Sequence, residues 1–261
     1  MEGESPTSTA MCLRCGYELR GLAPTGVCPE CGLSIAESLE KRRLGLSSPG
    51  YLASLRLGAL VAMVALAIYI AAGFVRWHLI GFLFTPGTQK YFVFLDIAGA
   101  ALLVFGVWKL TIDDPGLHIK DQARTNKRAM KCAAAGLLLL AIFELLVALR
   151  APLPTIAIGV SPAALSLSAV IMIMAGALWN LACWLTLATG LVNYTRWLAV
   201  RVPDHRLLGM AKSMSWLLPV AIAAAFVASL IFGTATRVVP LGLMAWLLGS
   251  ARERIRSESG G

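Results

Sequence analysis

Four of the six cysteines fall within twenty residues, as Cys12-x-x-Cys15 and Cys28-x-x-Cys31 with twelve residues between the pairs. Two CxxC pairs at this spacing are the pattern of a tetrahedral thiolate cage, each pair gripping one ion from its own turn. Gly16 and Gly32 follow the pairs, where the backbone must bend back so that N–H groups point at sulfur, and glycine tolerates the positive φ this needs. Pro29 stiffens the second turn. Tyr17–Val27 holds Gly21, Pro24 and Gly26 and is expected to double back as a short hairpin or loop. So small a segment has almost no core, and metal binding would supply its folding energy, on the order of 10–16 kcal/mol for structural zinc. With four protein ligands no position is left for water or substrate, which argues against a catalytic metal. Zinc is the first choice, iron the rival, and a pair of disulfides the remaining alternative.

The run CxxCGYxLRGL followed by CPECG, ahead of several apolar stretches, resembles a loosely defined group of uncharacterised bacterial multi-span membrane proteins with a rubredoxin-like zinc-ribbon head. The close likeness covers Cys12 to Gly32. It implies Cys12, Cys15, Cys28 and Cys31 as metal ligands and brings no activity with it.

The remainder of the chain must carry this head. Of the 261 residues, 58% are hydrophobic and 14% charged, against an ordinary charged share of about 25%. That excess belongs to membrane spans, which need about 20 apolar residues each. Spans are predicted near 51–75, 91–112, 130–149, 165–192, 214–233 and 236–250, the last of them short. No signal peptide is expected, because residues 1–11 are acidic and Ser/Thr-rich. The predicted architecture is an all-α polytopic membrane protein of about six transmembrane helices with a small N-terminal zinc ribbon. Its parts are a disordered tail (1–10), the ribbon (11–33), a juxtamembrane helix and linker (34–50), the helical domain (51–250) and a cytoplasmic tail (251–261). Ser34 and Glu37 form a capping box that starts the short helix near Ile35, Ile35 and Leu39 share one face, and Ser47-Ser48-Pro49-Gly50 breaks the helix before the first span.

The net charge of +9 invites a nucleic-acid reading, but the cations sit between spans, and the ribbon has only Arg14 and Arg20. Nineteen of the 23 Lys and Arg residues fall in the tails and alternate loops of a six-span arrangement, and four on the other side. The positive-inside rule then places both termini and the ribbon in the cytoplasm, at the inner membrane, where thiols stay reduced.

Ionisable and polar residues inside spans are functional candidates by default. Glu144 is the foremost, as a proton or cation site, against a plain reading as a neutral or Arg150-paired side chain. Asn180 reads as interhelical glue, Asp96 lies near a span end, and Cys132 and Cys183 read as small buried packers. Small residues at Ala175, Gly176, Ala177, Ala221, Ala225 and Ala228 suit close helix contacts. The three histidines, His78, His118 and His205, lie outside the span centres, which disfavours haem. HExxH, GxSxG and P-loop motifs are absent, so no enzyme is expected. The leading expectation is a non-enzymatic anchor, scaffold or accessory subunit whose zinc ribbon contacts a protein partner. The alternatives are an iron head for electron transfer and a small transporter or channel using Glu144.

Overall fold

In a bilayer a backbone must satisfy its own hydrogen bonds, so long apolar runs form helices. The computed structural model describes residues 12, 15, 17–40, 47–79, 86–113, 124–150, 167–201, 205–232 and 238–258. A short helix, α1 (Ile35–Glu40), is followed by six long ones: α2 (Pro49–Leu79), α3 (Pro86–Leu110), α4 (Arg124–Arg150), α5 (Leu167–Arg201), α6 (His205–Phe232) and α7 (Val238–Glu258). The chain is an all-α multi-span membrane protein with a small four-cysteine head. Helices α2 to α6 are each long and apolar enough to cross a membrane.

The helices overrun the predicted spans. α4 starts at Arg124, α5 continues to Arg201 and α6 starts at His205. Lys and Arg are good helix formers, so a helix need not stop where the apolar run does. Ser47 and Ser48 are non-helical, as expected ahead of the first span, but Pro49 and Gly50 already belong to α2: Ser48 caps it, its Oγ accepting from the Tyr51 N–H at 3.3 Å, and Pro49 occupies the first helical position.

Each long helix packs on the next in chain order, and α7 packs back on α2, so the six close into a ring. α7 completes it although only its first half is apolar. Leu241, Met244, Leu247, Leu248, Ala251 and Ile255 are buried along it. The helix runs past Ser250 to Glu258 instead of giving way to a tail at 251, because Ala251 and Ile255 still face the bundle. The Arg56 guanidinium on α2 donates to the last carbonyls of α7, Ile255 at 3.4 Å and Arg256 at 3.5 Å.

The tightest helix contact joins α2 to α3. A methyl group at Gly106 would lie 2.7 Å from the Ala62 nitrogen, and one at Gly58 would lie 2.8 Å from the Gly106 carbonyl oxygen. Gly58 and Ala62 are four residues apart on one face, so the two backbones meet on a small-xxx-small seam. Of the small residues singled out on α5 and α6, Ala225 is buried and Ala175 faces outward.

One end of the ring gathers cations and aromatic rings. Lys127 is only 3% exposed; its Nζ lies 3.0 Å from Asp113 Oδ1 and 5.4 Å from the Trp197 ring centre. Arg201 stands over the same ring at 5.1 Å and donates to Ser47 Oγ at 3.2 Å. Lys131 covers Trp108 at 4.7 Å, and the Tyr194 hydroxyl donates to the Leu110 carbonyl at 2.8 Å. These groups come from the starts of α2 and α4 and the ends of α3 and α5, so neighbouring helices run antiparallel.

Candidate metal centre

The four sulfurs predicted as ligands come together. The Sγ atoms of Cys12, Cys15, Cys28 and Cys31 all lie within 4.8 Å of one another. Two contacts bridge the two turns, Cys12 to Cys31 and Cys15 to Cys28, each at 3.5 Å. A disulfide needs about 2.05 Å, whereas tetrahedral Zn–S bonds of about 2.3 Å put sulfurs about 3.8 Å apart. All four are free thiols, so the disulfide alternative is not what this arrangement represents.

The two turns are built alike. The Cys12 N–H donates to the Tyr17 carbonyl at 2.7 Å, and the Cys28 N–H to the Leu33 carbonyl at 2.8 Å, the same five-residue step. The N–H of Tyr17 donates to the Cys15 sulfur and that of Leu33 to the Cys31 sulfur. In each pair the first cysteine is buried and the second lies further out. Gly32 has φ +70°, as its place after the second pair requires. Gly16, after the first pair, lies outside the described residues.

Tyr17–Val27 is a series of turns with Gly21 at φ +78°, and Val27 makes a single antiparallel bridge with Ser34. Helix α1 begins at Ile35 as predicted and lies on the cage. Ile35 and Leu39 pack with Cys12, Leu19 and Cys28. Ser38, wholly buried, puts its hydroxyl 3.9 Å from Cys12 Sγ. Ser38 was not foreseen as part of the centre; its place three residues after Ile35, on the same helix face, was the available signal. The Glu37 side chain lies outside the described residues.

Without a cation, Cys15 and Cys31 favour the protonated thiol. Although Cys15 is an exposed residue, desolvation of its sulfur, with hydrogen bonds from the other three thiols, pushes it up to about 12. Desolvation raises Cys31 too. The N–H donors from Tyr17 and Leu33 act the other way, in favour of thiolate, and a bound cation would add to them. The geometry can hold one thiophilic ion in a closed shell.

The residues flagged within the spans are placed differently. Asp96, Glu144 and Asn180, from three helices, line one cavity inside the ring. Arg150, suggested as a partner for Glu144, has no described side chain. Cys183 is buried, its sulfur 2.8 Å from where a methyl at Gly136 would stand. Cys132 is exposed rather than buried, because it lies on the side of α4 turned away from the ring. The side chains of His78, His118 and His205 lie outside the described residues. No family model, no curated protein and no solved structure matches this chain.

Proposed function

We propose that the head binds zinc and serves as a protein-contact module on the cytoplasmic face of a bacterial inner membrane. The helical ring acts as its anchor, and the whole is a scaffold or accessory subunit of a membrane assembly. The observation that carries this reading is the closed four-thiolate cage, which has no open coordination position for chemistry. Around it the head exposes Tyr17, Leu22 and Val27, apolar side chains in reach of a partner. The gathering of cations at one end of the ring supports placing that end, and with it the head, on the cytoplasmic side. The likeness of CxxCGY…CPECG to the heads of bacterial multi-span proteins favours the same assignment.

The protein purified from its native membrane should be colourless and contain one zinc per chain. Affinity capture should recover a defined partner that is lost when Cys28 and Cys31 are both replaced by serine. Iron with ferric-thiolate absorption would replace this reading by electron transfer at the membrane surface. Capture of no partner from wild-type membranes would remove the scaffold role.

A further inference from the structure

We propose that the outer face of the α3–α4 corner, at the cationic end of the ring, binds one phospholipid with an anionic headgroup. Phe105, Trp108 and Lys109 share a face of α3 at i, i+3 and i+4, and Lys131 reaches the same face from α4. The Lys131 ammonium lies 4.7 Å from the Trp108 ring centre, and that of Lys109 lies 5.7 Å from the centre of Phe105. Both rings look out of the bundle, Trp108 being 59% and Phe105 47% exposed. Each ring thus holds a cation at the lipid-facing surface, and an ammonium over a ring keeps N–H donors for a phosphate. Arg124 and Arg128, both exposed, stand on the same face of α4 as Lys131.

The corner keeps a surplus of positive charge. Among the described residues, neither Lys109 nor Lys131 forms an ion pair with a carboxylate. Asp113 feels Lys131 at longer range but is bound to Lys127 at 3.0 Å. From Lys109 to Lys131 the chain carries six Lys or Arg against three Asp, so three positive charges are left over wherever the side chains of 114–123 lie. Deeper in the membrane the same two faces turn small: Ala98 and Ala101 on α3 and Ala135 on α4 are exposed, which leaves room for acyl chains. Tryptophan at a span end sits at headgroup depth, where anionic lipid and lysine attract one another. A phospholipid therefore supplies both halves of the fit, a phosphate for the ammonium groups and chains for the apolar wall; a water-soluble anion supplies only the first. The site is independent of the metal centre and of which side of the membrane this end faces.

The test uses the full chain in an uncharged detergent, with native mass spectrometry counting bound lipids during titration with phosphatidylglycerol or phosphatidylcholine. We expect one phosphatidylglycerol per chain to bind about twentyfold more tightly than phosphatidylcholine, the share of two cations and a comparison that needs no variant to fold. Lys109→Gln and Lys131→Gln should each weaken that binding about fivefold, the share of one cation. Lys212→Gln removes the same charge from an exposed position near the start of α6, which packs on α5 and α7 and not at this corner, and should leave the affinity unchanged. Glycerol phosphate, the headgroup without its chains, should fail to compete. Equal binding of the two lipids, unchanged affinity in both corner variants, an equal loss in Lys212→Gln, or full competition by glycerol phosphate would each overturn the proposal.

Discussion

Replacing Cys28 by serine should release the metal and unfold the head while leaving the helical ring intact. Cys28 is buried, its N–H closes the second turn on Leu33, and its sulfur is 3.5 Å from that of Cys15. The described core of the head is four buried side chains, Cys12, Leu19, Cys28 and Ile35, and full burial of an apolar side chain contributes only about 1.5–3 kcal/mol. A structural metal contributes about 10–16 kcal/mol, several times what any one of those side chains supplies, and a site with one thiolate missing forfeits much of it. Even about 3 kcal/mol of lost stability raises the open population about a hundredfold. Arg20 is exposed in a turn of the head and offers trypsin a cut that the folded form should resist. Mass spectrometry of a timed digest should show cleavage after Arg20 at least about a hundredfold faster in Cys28→Ser, and equally fast in wild type stripped by a strong chelator. Fragments of the ring should emerge no sooner than in the untreated protein. Unchanged resistance at Arg20 in the chelated wild type would refute the reasoning, because the head would then be standing on contacts other than the metal.

Four further outcomes are expected. Metal affinity should rise with pH between about 6 and 8, since cysteine binds metal as thiolate and binding releases protons; competition with a chromophoric chelator measures it. Asp113→Asn should lower stability at pH 7 by only about 1 kcal/mol, because the Asp113 side chain is 84% exposed although Lys127 is buried. The Lys127 ammonium beside Asp113 holds its carboxyl below the usual range. That stabilisation is therefore present above the ordinary value near 3.9 and disappears as pH falls through the folded value, so thermal melts of the two proteins should converge at strongly acidic pH. Gly106→Leu should force α2 and α3 apart at Ala62 and lower the melting temperature in detergent, whereas Gly209→Leu, where the space is open, should shift it far less. A cysteine-reactive probe that cannot cross membranes should label a cysteine placed at Ser257 only after the cells are opened.

The cage was legible because its information is local: two short motifs bring four sulfurs to one point with little help from the rest of the chain. The spans were legible for a similar reason, since an apolar run fixes a helix whatever surrounds it. Helix ends were less so, because Arg124, Arg201 and Glu258 continue helices beyond the apolar runs, and composition cannot mark where regular hydrogen bonding stops. The ring itself was hidden. The apolar run at 236–250 marked a short sixth span, but not that it packs on α2, a contact that joins Arg56 to Ile255 across 199 residues of sequence. The common cavity of Asp96, Glu144 and Asn180 was equally out of reach, since their meeting depends on the rotation of three helices about their axes. The seam of Gly58, Ala62 and Gly106 did carry a signal, small residues four apart, but many such pairs occur in apolar helices and most meet lipid.

The lodging of α1 on the cage bears on where the head can go. Ser47 is tied to Arg201 at the ring, and α1 ends at Glu40, so seven peptide steps form the whole leash. Fully stretched they reach roughly 25 Å. The head is therefore held within that distance of the ring, and a partner of the kind proposed must itself come to the bilayer surface to meet it.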